Sequence, residues 1–378
     1  MYPDLSNRII DPPVARIAFS KIKGINFSTA SRLLGMLGSP EQFFTMQPAA
    51  LQASCGIDRR ICDTGYRQSL LDAAEQESIY IKSKSISARF VGDDGYPRRL
   101  ADCDDAPAML YSVGPCNLNC LHSVAIVGTR HATPYGLDFV KHLVADLAAT
   151  VDSLVIVSGL AYGIDVAAHR AALEQGIPTV AVVAHGLNTI YPADHRDTAA
   201  HIVSQGGAIV TEYTSDSTIH RGNFLARNRI VAGLADAAVI VESDIKGGAM
   251  ATARIASAYG REVMAVPGRT TDSYSRGCNA LIADNTASII RSSDDLIEAT
   301  GWTTRPKTET QTVMTFDMTS EQKTVADYIT AHPDHTVNDI CIGLGISFSR
   351  LSAMLFEMEM ADMIMTLPGG KFTVISRQ

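Results

Sequence analysis

At 378 residues, with hydrophobic side chains at 46% and charged ones at 19%, the chain is long enough for two or three domains and has the makeup of a soluble globular protein. Acidic residues outnumber basic ones 40 to 32, a net charge of −8. That balance argues against nonspecific coating of duplex DNA but leaves room for a local cationic groove. No apolar run approaches the roughly 20 residues that span a bilayer, and the opening MYPDLSNRII has no signal-peptide core, so the expected location is cytoplasmic, with no membrane partner.

Residues 1–85 read as a helical module. VARIAFSKIKGI, ASRLLGMLG and SPEQFFTM carry apolar residues at helical spacing, punctuated by Gly24, Gly35, Gly38 and Pro40. KIKGINFSTASRLL looks like half of a helix-hairpin-helix, whose glycine turn can hold a phosphate on backbone N–H groups, but Asn26 stands where a second glycine is usual. A small packing module is the preferred reading. The seven cysteines, at positions 55, 62, 103, 116, 120, 278 and 341, are odd in number and lack CxxC pairing. Cys116, Cys120 and His122 would supply only three zinc ligands, so reduced thiols and no metal are expected.

YPRRLADCDDAPAMLYSVG, within 86–120, leads into the central domain as an added strand or two. From Ser123 to about Thr300, short apolar runs alternate with helical segments: VAIV (124–127), LVIV (154–157), TVAVV (179–183), AIVT (208–211), AVIV (238–241) and VMAV (263–266). Continuous apolar strands covered on both faces imply an α/β fold, a doubly wound, mostly parallel Rossmann-like sheet. The expected domains are the helical module 1–85, an extended Rossmann-like domain 86–302, a polar linker 303–315 and a winged helix 316–378. In the last, three short helices precede two strands around Gly369-Gly370. Arg350 is set against Glu357, Glu359 and Asp362, so a protein-contact or structural role is expected over DNA readout.

Ligands of such sheets sit at the carboxyl ends of the strands, which directs attention to the following loops. After the first comes Gly128-Thr129-Arg130, with Tyr135-Gly136 entering a helix: N–H groups plus one arginine make an expected phosphate site. The chain lacks GxGxxG with an acid ending the second strand, so NAD is not the expected ligand. After the second strand come Ser158, Gly159 and Gly163, with Asp165 and His169 four apart; a capping acid and an ordering histidine are favoured over catalysis. HGLNTIYP then places Tyr191 near the sheet edge. HRGNFLARNRIVAGL sets Arg221, Arg227 and Arg229 around Phe224, with no acid between Ser217 and Ile230. On an acidic chain this suggests a phosphate-rich ligand. Lys246, Gly247 and Gly248 open a small-residue helix with Thr252 nearby, a second anion-binding N-terminus, and VPGR and SRGCNALIAD close the rim. No P-loop, metal set or nucleophile constellation accompanies these turns, so the ligand is expected to be held rather than transformed, without a cofactor and without enzymatic activity.

VGTR at 127, SGLAYGIDVAAH at 158, GLNTIYP at 186, FLARNRIVAGL at 224, GGAMATARIASAYGR at 247, VPG at 266 and GCNALI at 277 occur in the order of the bacterial DNA-processing protein A (DprA/Smf) family, which the chain resembles over about 96–290. The resemblance implies a single-stranded DNA-binding protein that protects incoming strands in natural transformation and loads the recombinase RecA, and a homodimer built through the Rossmann-like domain. It also implies strand contacts from Arg130 and from Arg221-Gly222-Asn223-Phe224, the basic residues on phosphate and the phenylalanine on bases. Arg227, Asn228 and Arg229 either join them or brace the glycine loops. Many relatives carry a proline before the phenylalanine element and a Ser-Gly-Ser-type loop where this chain has Lys246-Gly247-Gly248-Ala249.

Two alternatives use the same sheet. A phosphoribohydrolase-like enzyme needs a glutamate near the sugar carbon, and no acid lies between Asp244 and Glu262. A sensor binding a small nucleotide is the other.

Overall fold

The computed structural model describes residues 5, 8–305, 319–333, 335–360, 363–367 and 370–374. They form two compact units, Met1–Lys307 and Thr308–Gln378.

The first unit is built on nine strands: β1 (Ser87–Phe90), β2 (Met109–Val113), β3 (His122–Val127), β4 (Leu154–Ser158), β5 (Thr179–Val182), β6 (Ala208–Thr211), β7 (Ala237–Ile240), β8 (Glu262–Ala265) and β9 (Ser288–Ile289). Their order is β1-β2-β6-β5-β4-β3-β7-β8-β9. β3 to β9 are parallel, and β1 and β2 add an antiparallel edge. The six runs read from sequence as strands are β3 to β8, and the YPRRL segment contributes β2.

Alternation along each strand sorts the two faces. Val124 and Ile126 point into one core with Val140, Leu143 and Ile164, from the helices Pro134–Thr150 and Ile164–Glu174. Ala125 and Val127 face the other, with Ile230, Val231, Ala253 and Ala256 from the helices Arg221–Gly233 and Gly248–Ala258. The small side chains Ala125, Ala238 and Ala265 on that face let the alanine-rich helix approach closely. After β3 the chain winds one way through β4, β5 and β6; helix Arg221–Gly233 then carries it back across to β7. The loops after β3 and β7 therefore diverge at the sheet's topological switch point.

The N-terminal helices, among them Pro12–Ser20, Phe27–Leu37, Pro40–Thr45 and Thr64–Ser83, share one core with the sheet edge: Phe19, Phe43, Phe44 and Leu71 pack with Phe90, Met109 and Tyr111 of β1 and β2. Asn26 explains the departure from the hairpin pattern. Its side chain accepts from the Thr29 N–H (2.8 Å), and the Phe27 N–H donates to the Ala106 carbonyl (2.6 Å), so donors a phosphate would use are already taken. At the start of the expected linker, Arg305 donates its N–H to Thr150 and Thr304 bridges Val151, tying both to the first unit; residues 306–315 of that linker lie outside the described residues.

The second unit has helices Ser320–Ala331, Val337–Leu344 and Phe348–Met360 and an antiparallel pair, β10 (Ile364–Leu367) and β11 (Lys371–Val374), the winged-helix plan. Arg350 on the third helix is paired with Glu321 (2.7 Å) at the surface, both side chains exposed, so that helix's one arginine already has a carboxylate partner. Asp362 and Gly369 lie outside the described residues.

Arg67 is the polar keystone of the N-terminal core. Only 1% exposed, it donates to the carbonyls of Phe43, Phe44 and Met46 at 2.9, 3.0 and 2.7 Å. Replacing it with leucine strands these buried acceptors, each worth about 1–3 kcal/mol when left unpaired. Arg67→Leu is expected to lower unfolding free energy by at least about 2 kcal/mol in urea titration; an unchanged midpoint would refute the keystone role.

Candidate nucleic-acid interface

The loop after β3 is strapped down before its arginine emerges. Thr129 donates to the Glu242 carbonyl (2.7 Å) and its own carbonyl accepts from the Ile164 N–H (3.1 Å). Gly163, at φ +75°, lies beneath it, where a Cβ would come within 2.2 Å of the Thr129 oxygen. Gly128 and Thr129 are partly buried, and Arg130 is exposed. The phosphate position expected at the start of helix Pro134–Thr150 is occupied. The Glu242 carboxylate, 3% exposed, accepts from the Thr133 N–H (2.9 Å) and hydroxyl (2.5 Å), and the Thr133 hydroxyl in turn accepts from Gly136 (3.3 Å). A second anion there would meet that carboxylate, so this loop offers a ligand Arg130 and not its helix N-terminus.

The loop after β4 turns inward. Ser158 is fully buried and donates to the Ile126 carbonyl (2.6 Å), joining β4 to β3. Arg227, 4% exposed, reaches across from its helix and donates to the Gly159 carbonyl (2.6 Å) and the Val182 carbonyl. A Cβ on Gly159 would stand 2.3 Å from this guanidinium and 2.5 Å from the Asp165 carboxylate. Burial pushes Asp165 up from the ordinary carboxyl range, with Arg227 and the N–H groups of Ala161 and Gly128 opposing it. His169 faces Thr179 (Nδ1 to Oγ1 2.7 Å) and burial, aided by Arg227 and His195, holds its pKa down at about 3. Asp165 and His169 thus serve different partners, as scaffold. Ser158, Gly159 and Arg227 are all buried, beneath the rim rather than on its outer face.

The rim proper begins at His220, whose Nδ1 accepts from the Gly222 N–H (3.1 Å) and starts helix Arg221–Gly233. Arg221 and Gly222 are exposed, and neither Arg221 nor Arg130 makes an ion pair among the described residues. Asn223 donates to Thr218 (3.3 Å). Phe224 is half-buried, the Arg130 guanidinium lies over its ring at 5.7 Å, and the Tyr191 ring stands 5.7 Å away at 58°. Tyr191 is held in turn by its N–H on His185 Nε2 (3.2 Å). One turn beyond Phe224, the Asn228 amide lies 3.5 Å from the Gly248 carbonyl. There Gly247 caps helix Gly248–Ala258 without a side-chain acceptor or an acid in the first turn, beside exposed Lys246. Arg229 differs: it is closed into an ion pair with Glu212, each side chain 17% exposed, so in this structure it braces the loop after β6.

Sequence reasoning left Tyr191 out of the site and missed the two acids. Their place was visible, since Glu212 and Glu242 each follow a buried strand, but their partners, Arg229 and Thr133, were not.

The DNA recombination-mediator protein A family model matches residues 87–301, and the DprA winged helix domain model matches 310–370. The chain is 38% identical over 280 residues to the putative DNA processing protein DprA of Mycobacterium tuberculosis, covering 72% of this chain and 70% of that protein. To DNA processing protein DprA of Streptococcus pneumoniae it is 37% identical, over 60% and 78% of the two chains. An X-ray structure of the S. pneumoniae protein superposes with a TM-score of 0.64 at 28% identity, covering 75% of this chain and 97% of that one. A structure describing the single-stranded DNA binding mode of DNA processing protein A from Helicobacter pylori gives 0.50 at 33% identity, over 57% and 94%. The fold is that of a Rossmann-type DNA-processing protein carrying a winged helix. The chain belongs to the DNA recombination-mediator protein A (DprA/Smf) family. No single helix among the described residues is long and apolar enough to cross a membrane.

The buried histidine under the rim gives stability a pH dependence. His169 stays neutral when folded, down to about pH 3, while the unfolded chain protonates it below about 6.5. Stability is therefore expected to fall as pH drops below about 6.5, by up to about 1.4 kcal/mol per unit from this group. His169→Gln should flatten that slope in denaturant titrations between pH 6.5 and 5; an identical slope would rule the assignment out.

Proposed function

We propose that the chain binds single-stranded DNA along this rim without regard to sequence and does no chemistry on it. The observation that carries the reading is the cluster of Phe224, Arg130 and Tyr191 beside unpaired Arg221 at the carboxyl ends of the strands. A base stacking on Phe224 gains about 1–3 kcal/mol, against about 0.5–1 for an exposed cation over the ring, so a base displaces the Arg130 guanidinium. Arg130 then turns to a phosphate, next to Arg221. Gly222 and Asn223 present the segment, and Lys246 with the open Gly247-Gly248 helix start takes a further phosphate beside Asn228. Ser158, Gly159, Arg227 and Arg229 set the shape beneath. Family membership extends the reading to protection of incoming strands in natural transformation, loading of the recombinase RecA, a homodimer through the Rossmann-like domain, a cytoplasmic location and a non-enzymatic role.

Anisotropy with labelled oligo-dT across salt tests the core of this. The native chain is expected to prefer oligo-dT over duplex, with a log–log salt slope of about −0.7 per neutralised phosphate. Phe224→Ala should weaken binding by about 5- to 100-fold with the slope unchanged. Arg221→Ala and Arg130→Ala should each make the slope shallower by about 0.7, with the smaller affinity loss for Arg130, whose removal also bares the ring. Equal affinity in all four proteins, or none in the native chain, defeats the reading.

A further inference from the structure

Arg130 belongs to two features. Besides lying over Phe224, it lines the mouth of a groove of about 430 Å³ between helices Pro134–Thr150 and Ile164–Glu174. These helices follow the adjacent parallel strands β3 and β4, so both start at the rim and run side by side down the flank. Lys141 lines one wall and Arg170 the other, with Leu137 on the groove's lining and Glu174 also bordering it. Lys141 is seven residues into its helix and Arg170 six into the other, which puts both charges roughly 10 Å from the rim at 1.5 Å per residue. Both are exposed, and neither forms an ion pair among the described residues.

We infer that this groove is a second track for the DNA backbone, continuing from Arg130 down the flank of the sheet. The inference rests on the rim being the single-strand site. On a chain of net charge −8, three uncompensated cations converge on one continuous depression that opens beside the stacking ring. Charge and continuity both favour a polyanion already held at Phe224. His131, next to Arg130 at the mouth, is the one ring among the lining residues, so beyond it the track takes phosphates and leaves bases in solvent, extending the footprint without adding sequence preference. Glu174, at the end of its helix, opposes phosphate and limits the track to one or two phosphates beyond Arg130.

Length dependence separates track from rim. Anisotropy is measured across salt with oligo-dT of about six and about twenty nucleotides, on the native chain, the double variant Lys141→Gln/Arg170→Gln, Glu174→Gln and Phe224→Ala. For the long oligomer the double variant is expected to bind about 5- to 20-fold more weakly, with a slope shallower by about 1.4, while the short oligomer is unaffected. Glu174→Gln should tighten the long oligomer about two- to fivefold, an opposite sign that loss of folding cannot produce. Unchanged binding of the long oligomer in the double variant, or equal loss for both lengths, overturns the track while Phe224→Ala still weakens both oligomers. Native protein that binds neither oligomer overturns the rim reading and the track together.

Discussion

The grip of Arg227 on the carbonyls of Gly159 and Val182 is the constraint on which the rim depends. One guanidinium ties the crossover helix to the ends of β4 and β5, and Gly159 is what lets it come so close. With Arg227 turned inward and Arg229 fixed on Glu212, the rotation of the helix about its axis is set. Arg221, Phe224 and Asn228, spaced three and four apart, then form one stripe on the rim. A buried arginine satisfied largely by carbonyls is costly to desolvate, and the nearby Asp165, itself shifted up by burial, offsets part of that cost. The return is rigidity in a helix whose outer face carries the ring.

Acids on this rim are spent on the scaffold. Glu242 occupies the start of helix Pro134–Thr150, Glu212 neutralises Arg229, and Asp165 lies beside Arg227, all behind the surface. Outside stand Arg130, Arg221 and Lys246, with Asp244 answered by Arg276. A protein of net charge −8 thus presents a cationic edge through the depth at which its charges sit, not through their number.

The strands were legible because burial on both faces writes itself as continuous apolar runs, and the motifs placed the loops. The inward course of Arg227 was legible too: Arg227, Ile230, Val231 and Leu234 stand at i, i+3, i+4 and i+7, the spacing of a buried face, and all four are buried. The charge of an arginine hid it from a search for apolar residues. Glu242 on the helix start was not readable, since it meets Thr133 from 109 positions away across the sheet, and N–H groups that look free in a local segment are taken by a long-range carboxylate. Arg229 escaped for the same reason, its partner lying on the loop after β6.

The order of these dependencies bears on which changes the rim tolerates. Arg130 and Arg221 are exposed and Phe224 is half-buried, and the described contacts of all three are few. Arg227, Gly159, Gly163 and Glu242 are each fixed by a buried partner or a backbone approach that another side chain would disrupt. On the proposed reading, substitution among the inner residues reaches the ligand by rotating the helix or lifting the loop after β3, whereas substitution among the outer ones acts on the ligand alone. Binding measured beside stability therefore separates the two layers: an inner residue moves both, and an outer one moves binding with the folding midpoint unchanged.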